Sequence, residues 1–178
     1  MDDKTLLRYC SEVVRQVEVP EPFDVNALCD RLEQARQREI SLVPMALPVR
    51  EGSPCGLWVA TDDIDYILYQ RDTSRAHSEH IVSHELGHIL LGHESSPAHQ
   101  DEVSRLLMPN LNPDLVRTVL GRTVYTSHEE RAAEIVASLL PVQAGRATRR
   151  QSEADMPAGV ANLVNHLERS LERSARRI

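Results

Sequence analysis

Apolar and polar positions recur along this chain with two different periods, and the changes of period divide it into elements. Over residues 5–17, Leu6, Leu7, Tyr9, Cys10, Val13, Val14 and Val17 fall at helical spacing with charge on the other side. Pro20 and Pro22 end that run. Asp24 then has the character of an N-cap, and Val25, Leu28, Cys29 and Leu32 form the stripe of a second helix, which the polar stretch 34–39 closes. The period next shortens. Residues 40–45, 55–60 and 65–70 read as three strands of a small antiparallel sheet, with a hairpin turn at Thr61-Asp62-Asp63 and with Pro44 marking an edge or a bulge.

Helical spacing returns at residues 75–91, with Ser74 or Thr73 as the N-cap and Gly92 at the C′ position. Shorter helices are expected over 101–108 and 114–120. A long one is expected over 127–140, capped by Ser127 with Glu130 as a capping box and closed by Pro141. A polar, basic connection follows, and Val160, Leu163, Val164, Leu167 and Leu171 form a last stripe. The pattern predicts an α+β chain, mostly helical. Residues 1–145 read as a single domain, and 146–178 as a linker and an amphipathic helix that packs on it or on a partner.

A chain of 178 residues is long enough for one domain with a substantial core. With one Trp, one Phe and four Tyr, that core has to be built mainly from Leu, Val, Ile and Ala. The net charge of −7 argues against nucleic acid as the main partner. Cys10, Cys29 and Cys55 are odd in number and form no Cys-x-x-Cys pair, which suits free thiols in a reducing compartment. The acidic start of the chain has no apolar signal-peptide core, and no run approaches the ~20 apolar residues of a membrane span. A cytoplasmic protein is expected.

The candidate chemistry lies in the helix at 75–91, which carries His84-Glu85-Leu86-Gly87-His88. Four residues at about 100° each return His88 to the azimuth of His84, one turn on, so both imidazoles can share one ion. Glu85 lies beside the first ligand without being one. Two neutral imidazoles and an open position make half of a catalytic zinc site. Ile81, Val82, Leu86, Ile89, Leu90 and Leu91 make this a core-type helix, where two uncompensated histidines would be costly. Gly87 costs up to about 1 kcal/mol inside a helix, and its smallness would let another element approach closely. Gly92 and His93 miss the extended metzincin spacing, so His93 reads as a polar helix-end residue and not a ligand.

Such a site needs a third protein ligand, and the later helix offers Glu129, Glu130 and Glu134. Glu130 and Glu134 share a face. If Glu130 binds the ion, Glu134 can accept a hydrogen bond from a ligand histidine. Ala132, Ala133 and Ala137 would let this helix pack near Gly87.

These two stretches resemble the ImmA/IrrE family of metallopeptidases. The resemblance is carried by the segment from His84 to His93 and by the glutamate helix with its ending from Ala133 to Pro141. The family's second motif is a Glu, two variable residues, Ala with Asn or Asp, then Phe-Ala and Leu-Leu. Matching its Glu to Glu130 places Ala133 on the alanine, Glu134 on the polar position and Val136-Ala137 on Phe-Ala. Matching it to Glu129 aligns Leu139-Leu140 better. The Phe has no counterpart. The resemblance implies a zincin-like α+β domain and a regulatory, zinc-dependent endopeptidase. Its substrate would be a specific protein such as a helix-turn-helix repressor, in a toxin–antitoxin-like or stress-response setting. Zn²⁺ would sit on His84, His88 and Glu130, with Glu85 as the catalytic base and Tyr125, His128 or His93 as the oxyanion donor. The rival expectation is a non-catalytic zinc-containing module that sequesters a partner regulator.

Overall fold

The computed structural model describes residues 2–46, 55–61, 63–93, 96–97 and 125–154. In chain order these form α1 (Asp3–Arg15), α2 (Val25–Arg36), β1 (Glu39–Met45), β2 (Gly56–Ala60), β3 (Ile64–Gln70), α3 (Arg75–Leu91), the two-residue β4 (Ser96–Pro97) and α4 (Ser127–Ala154). The α+β class holds. The helices expected over 101–108, 114–120 and 160–171 lie outside the described residues. No helix among the described residues is long and apolar enough to cross a membrane.

Local chemistry sets most element ends. The Asp2 carboxylate accepts the Thr5 N–H at 2.8 Å, and Asp24 accepts those of Asn26 and Ala27 at 2.9 Å each, so orphan donors at both helix starts are satisfied. Ser74 caps α3, and Gly92 closes it at φ 69°, a left-handed conformation that glycine adopts without strain.

The sheet corrects the expectation of antiparallel pairing throughout. Its order is β1-β3-β2-β4; β2 and β3 are antiparallel, but β1 runs parallel to β3 and β4 parallel to β2. Only the short turn after β2 dictates a direction. The longer connection between β1 and β2 leaves β1 free to join the far side of β3. Pro44 accordingly lies on an edge strand, where a missing N–H is tolerated.

Among the described residues one core cluster joins the helices to the sheet. Leu6, Cys10 and Val14 of α1, Leu28, Cys29 and Leu32 of α2, Ile40, Trp58 and Ile67 of the sheet, Val82 and Leu86 of α3, and Val136 and Leu140 of α4 meet in it. Beside it sits a fully buried acid, Asp65. Arg36 and Arg38 contact its Oδ2 at 2.8 and 3.0 Å, and the Trp58 indole N–H donates to its Oδ1 at 3.0 Å. Burying this charge is tolerable because each oxygen has a partner. The cysteines are free thiols, Cys10 and Cys29 buried and Cys55 exposed. Burial pushes the Cys29 thiol up to about 12.

The α4 helix runs on past Pro141 to Ala154, across the start of the stretch read as a connection. Packing on the far side of the proline holds it. Ala144 is buried, and the Gln143 side-chain amide donates to the carbonyls of Val14 and Val17 at 3.0 Å each. These contacts offset the single helical hydrogen bond that proline cannot make.

Candidate metal centre

The α3 and α4 helices lie against one another where both are small. A Cβ on Gly87 would meet the Ala133 carbonyl oxygen at 2.9 Å and the Ala133 Cα at 3.1 Å, so the glycine is what permits this separation. Ala132, Ala133 and Ala137 are all buried, in keeping with the expected close approach.

That approach brings one face of α4 over the two histidines. The Nε2 atoms of His84 and His88 stand 3.1 Å apart, as expected for residues one helical turn apart. The Glu130 carboxylate reaches both, with Oε2 at 3.3 Å from His84 Nε2 and Oε1 at 3.9 Å from His88 Nε2. One ligand atom from each of His84, His88 and Glu130 lies within 4.8 Å of the others, a group that could hold a metal ion. Two imidazole nitrogens and a carboxylate oxygen also suit a divalent ion chemically. Burial, followed by the neighbouring His84 and His93, pushes His88 down to about 3, so its ring is neutral near pH 7, the form a ligand requires.

The choice among the three glutamates follows from the start of α4. Thr126 Oγ1 accepts the Glu129 N–H at 3.2 Å, while Glu129 Oε2 accepts the Thr126 N–H at 2.7 Å and its hydroxyl at 2.8 Å. The capping box is therefore Thr126 with Glu129, one residue earlier than the expected Ser127 with Glu130. Those hydrogen bonds hold the Glu129 carboxyl below its ordinary range and occupy it. Glu130 is left free to face the histidines. Glu134, one turn on, turns to the other nitrogen of His84, its Oε2 3.4 Å from Nδ1.

Glu85 is buried beside this group. Burial foremost, then the charge of Glu130, pushes its carboxyl up to about 8, while a backbone hydrogen bond with Trp58 opposes the shift. A Cβ on Gly56 would fall 2.7 Å from Glu85 Oε1 and 2.6 Å from Ile81 Cγ2, so β2 can lie over Glu85 only because residue 56 has no side chain. No local pattern marks Gly56 for this role.

The group opens into a cleft of about 260 Å³ between β2 and α3, lined among others by Gly56, Leu57, His80, His84, Glu85, His88, Tyr125 and Glu130. The Tyr125 ring stacks on His88, centroids 3.7 Å apart and planes 19° apart. Its hydroxyl is buried with no hydrogen-bond partner among the described residues. Of the other oxyanion candidates, His128 is exposed and does not line the cleft. His93 lies behind His88, with its Nδ1 2.8 Å from His88 Nδ1. The sequence suggests a polar helix-end residue or an oxyanion donor at His93, and no role for His80, whose Nε2 lies 3.1 and 3.2 Å from the two oxygens of Glu134. The signal for His80 was its place one turn before His84 on the same stripe.

Comparison with family models, with curated proteins and with solved structures gives no match to this chain.

Proposed function

We propose that this chain is a zinc-dependent endopeptidase of zincin-like design that cuts a specific protein, with a helix-turn-helix repressor as the substrate class. One observation carries the reading. Three donors from two helices converge within 4.8 Å, in a cleft that also holds a buried glutamate next in sequence to the first donor. The substrate class rests on the resemblance of the two motifs to the ImmA/IrrE metallopeptidases.

His84, His88 and Glu130 would hold the ion. Bound there, Zn²⁺ supplies a Lewis acid and brings the pKa of water near 7. Glu85 takes the proton of the attacking water and delivers it to the leaving amine. Its place, next in sequence to His84 and lining the cleft, suits that role. Tyr125 is the candidate donor to the developing oxyanion, because its hydroxyl is buried at the cleft with no hydrogen-bond partner among the described residues.

The test is Glu85→Gln. The variant should keep one zinc per chain by elemental analysis while cleavage of a partner co-purified from native cells stops, read by mass spectrometry. Persisting cleavage would remove Glu85 from its role. A wild-type protein that binds zinc and captures its partner without cutting it would instead be a sequestering module.

A further inference from the structure

Each of the two ligand imidazoles has a second nitrogen, and each of those faces a partner. A histidine can offer a lone pair from Nε2 only when its proton sits on Nδ1, so whatever accepts that proton fixes both tautomer and ring angle. For His88 the partner is His93 Nδ1, at 2.8 Å. With Nε2 given to the ion, the His88 Nδ1–H would donate to it, leaving the proton of His93 on its own Nε2. For His84 the partner is a carboxylate, Glu134 Oε2, at 3.4 Å from Nδ1. Glu134 is itself held from the side of the cleft, with His80 Nε2 3.1 Å from Oε1 and 3.2 Å from Oε2. His80, His84 and His88 fall one turn apart on α3, and Glu130 and Glu134 one turn apart on α4. The two helices therefore meet in two rungs, one converging on the ion and one behind it.

We infer that Glu134, anchored by His80, is a positioning residue that fixes His84 with its proton on Nδ1 and its Nε2 aimed at the ion, while His93 does the same for His88. The inference rests on the proposed zinc site. The two supports differ in kind. An anion behind His84 makes that imidazole the more electron-rich donor, whereas a neutral imidazole behind His88 mainly orients it. Loss of Glu134 should therefore weaken the grip more than loss of His93. The half-buried His80 acts one step further out, by keeping Glu134 from swinging into solvent.

Zinc affinity, read by competition with a chromophoric chelator at fixed pH and needing no substrate, tests this. Glu134→Ala should bind zinc about 10- to 100-fold more weakly than wild type. Glu134→Gln, whose amide oxygen can still accept from Nδ1, should recover part of the loss. His80→Ala should fall between wild type and Glu134→Ala. In the zinc-loaded wild type, long-range ¹H–¹⁵N correlation spectra should place the His84 proton on Nδ1. Unchanged affinity in Glu134→Ala, with one zinc per wild-type chain, would overturn the positioning role and leave the zinc site standing. Loss of all binding, equal to that of Glu130→Ala, would make Glu134 a ligand and overturn it too. A wild-type protein that binds no zinc, or whose binding survives His84→Ala, would overturn the zinc site itself.

Discussion

At Glu85 the physical chemistry of one side chain can be read as a change in stability. Its carboxyl is pushed up to about 8 in the folded protein from an ordinary 4.5. The fold therefore favours the neutral acid. That contribution is fully present below the unfolded value and is lost as pH rises through the folded one. Below about 6.5 the lowered value of His88 acts with the opposite sign, so metal-free protein, prepared with a chelator, should melt at progressively lower temperature as pH is raised from about 6.5 to above 8. Glu85→Gln, neutral throughout, should flatten the profile; an unchanged slope in that variant would assign the effect elsewhere. Gly87 is the second telling residue. Its would-be Cβ meets backbone of α4, not a side-chain end that can rotate away. Gly87→Ala gains up to about 1 kcal/mol of helix propensity but forces the helices apart, an overpacking cost of about 1–3 kcal/mol. Urea denaturation should show net destabilisation, and zinc affinity should fall with it.

At the scale of elements, the helices were the legible part. Apolar stripes and capping residues at Asp24, Ser74 and Gly92 mark their ends, because these signals are local. The start of α4 was ambiguous for a specific reason. Thr126 with Glu129 and Ser127 with Glu130 both satisfy the same capping pattern, so spacing alone could not say which glutamate was spent on the cap. The answer decides which acid meets the histidines. Thr126→Ala should therefore cost about 1 kcal/mol of stability, measured by thermal or chemical denaturation. It should also weaken zinc binding, as Glu129 loses its partner and the register of the first turn loosens. An equal stability loss in Ser127→Ala would contradict the assignment of the cap. The direction of β1 was not legible, since alternation reports which face of a strand is buried and nothing about its neighbour. The service of Gly56 to Glu85 was hidden for a similar reason. It depends on a strand and a helix far apart in sequence meeting at one atom's width.

Across the whole molecule, the proposed ion is a bridge between α3 and α4, since two ligands come from one helix and the third from the other. Binding only to the folded chain, zinc should stabilise it by mass action, by about 2.7 kcal/mol when free ion exceeds Kd a hundredfold. For a domain of this size that corresponds to a rise in Tm of about 5–10 °C. Scanning calorimetry with and without chelator should show the shift in wild type and none in His84→Ala. Spacing placed Glu134 on the face of Glu130, within reach of a ligand histidine, but could not place His80 against Glu134 or His93 against His88, because those neighbours depend on how the helices meet and end.

The attachment of α4 to the first helix has its own consequence. Gln143 clasps the end of α1, Arg131 pairs with Asp3 at its start, and the Cys10 thiol donates to Ala132 between them. The helix that presents Glu130 is thus moored along its length to the N-terminal segment, on the side away from the cleft. Trimming or prising off that segment would slacken the hold on the ion without touching any residue that contacts it. Retention of the ion would then report on the seating of α1, the first helix of the chain.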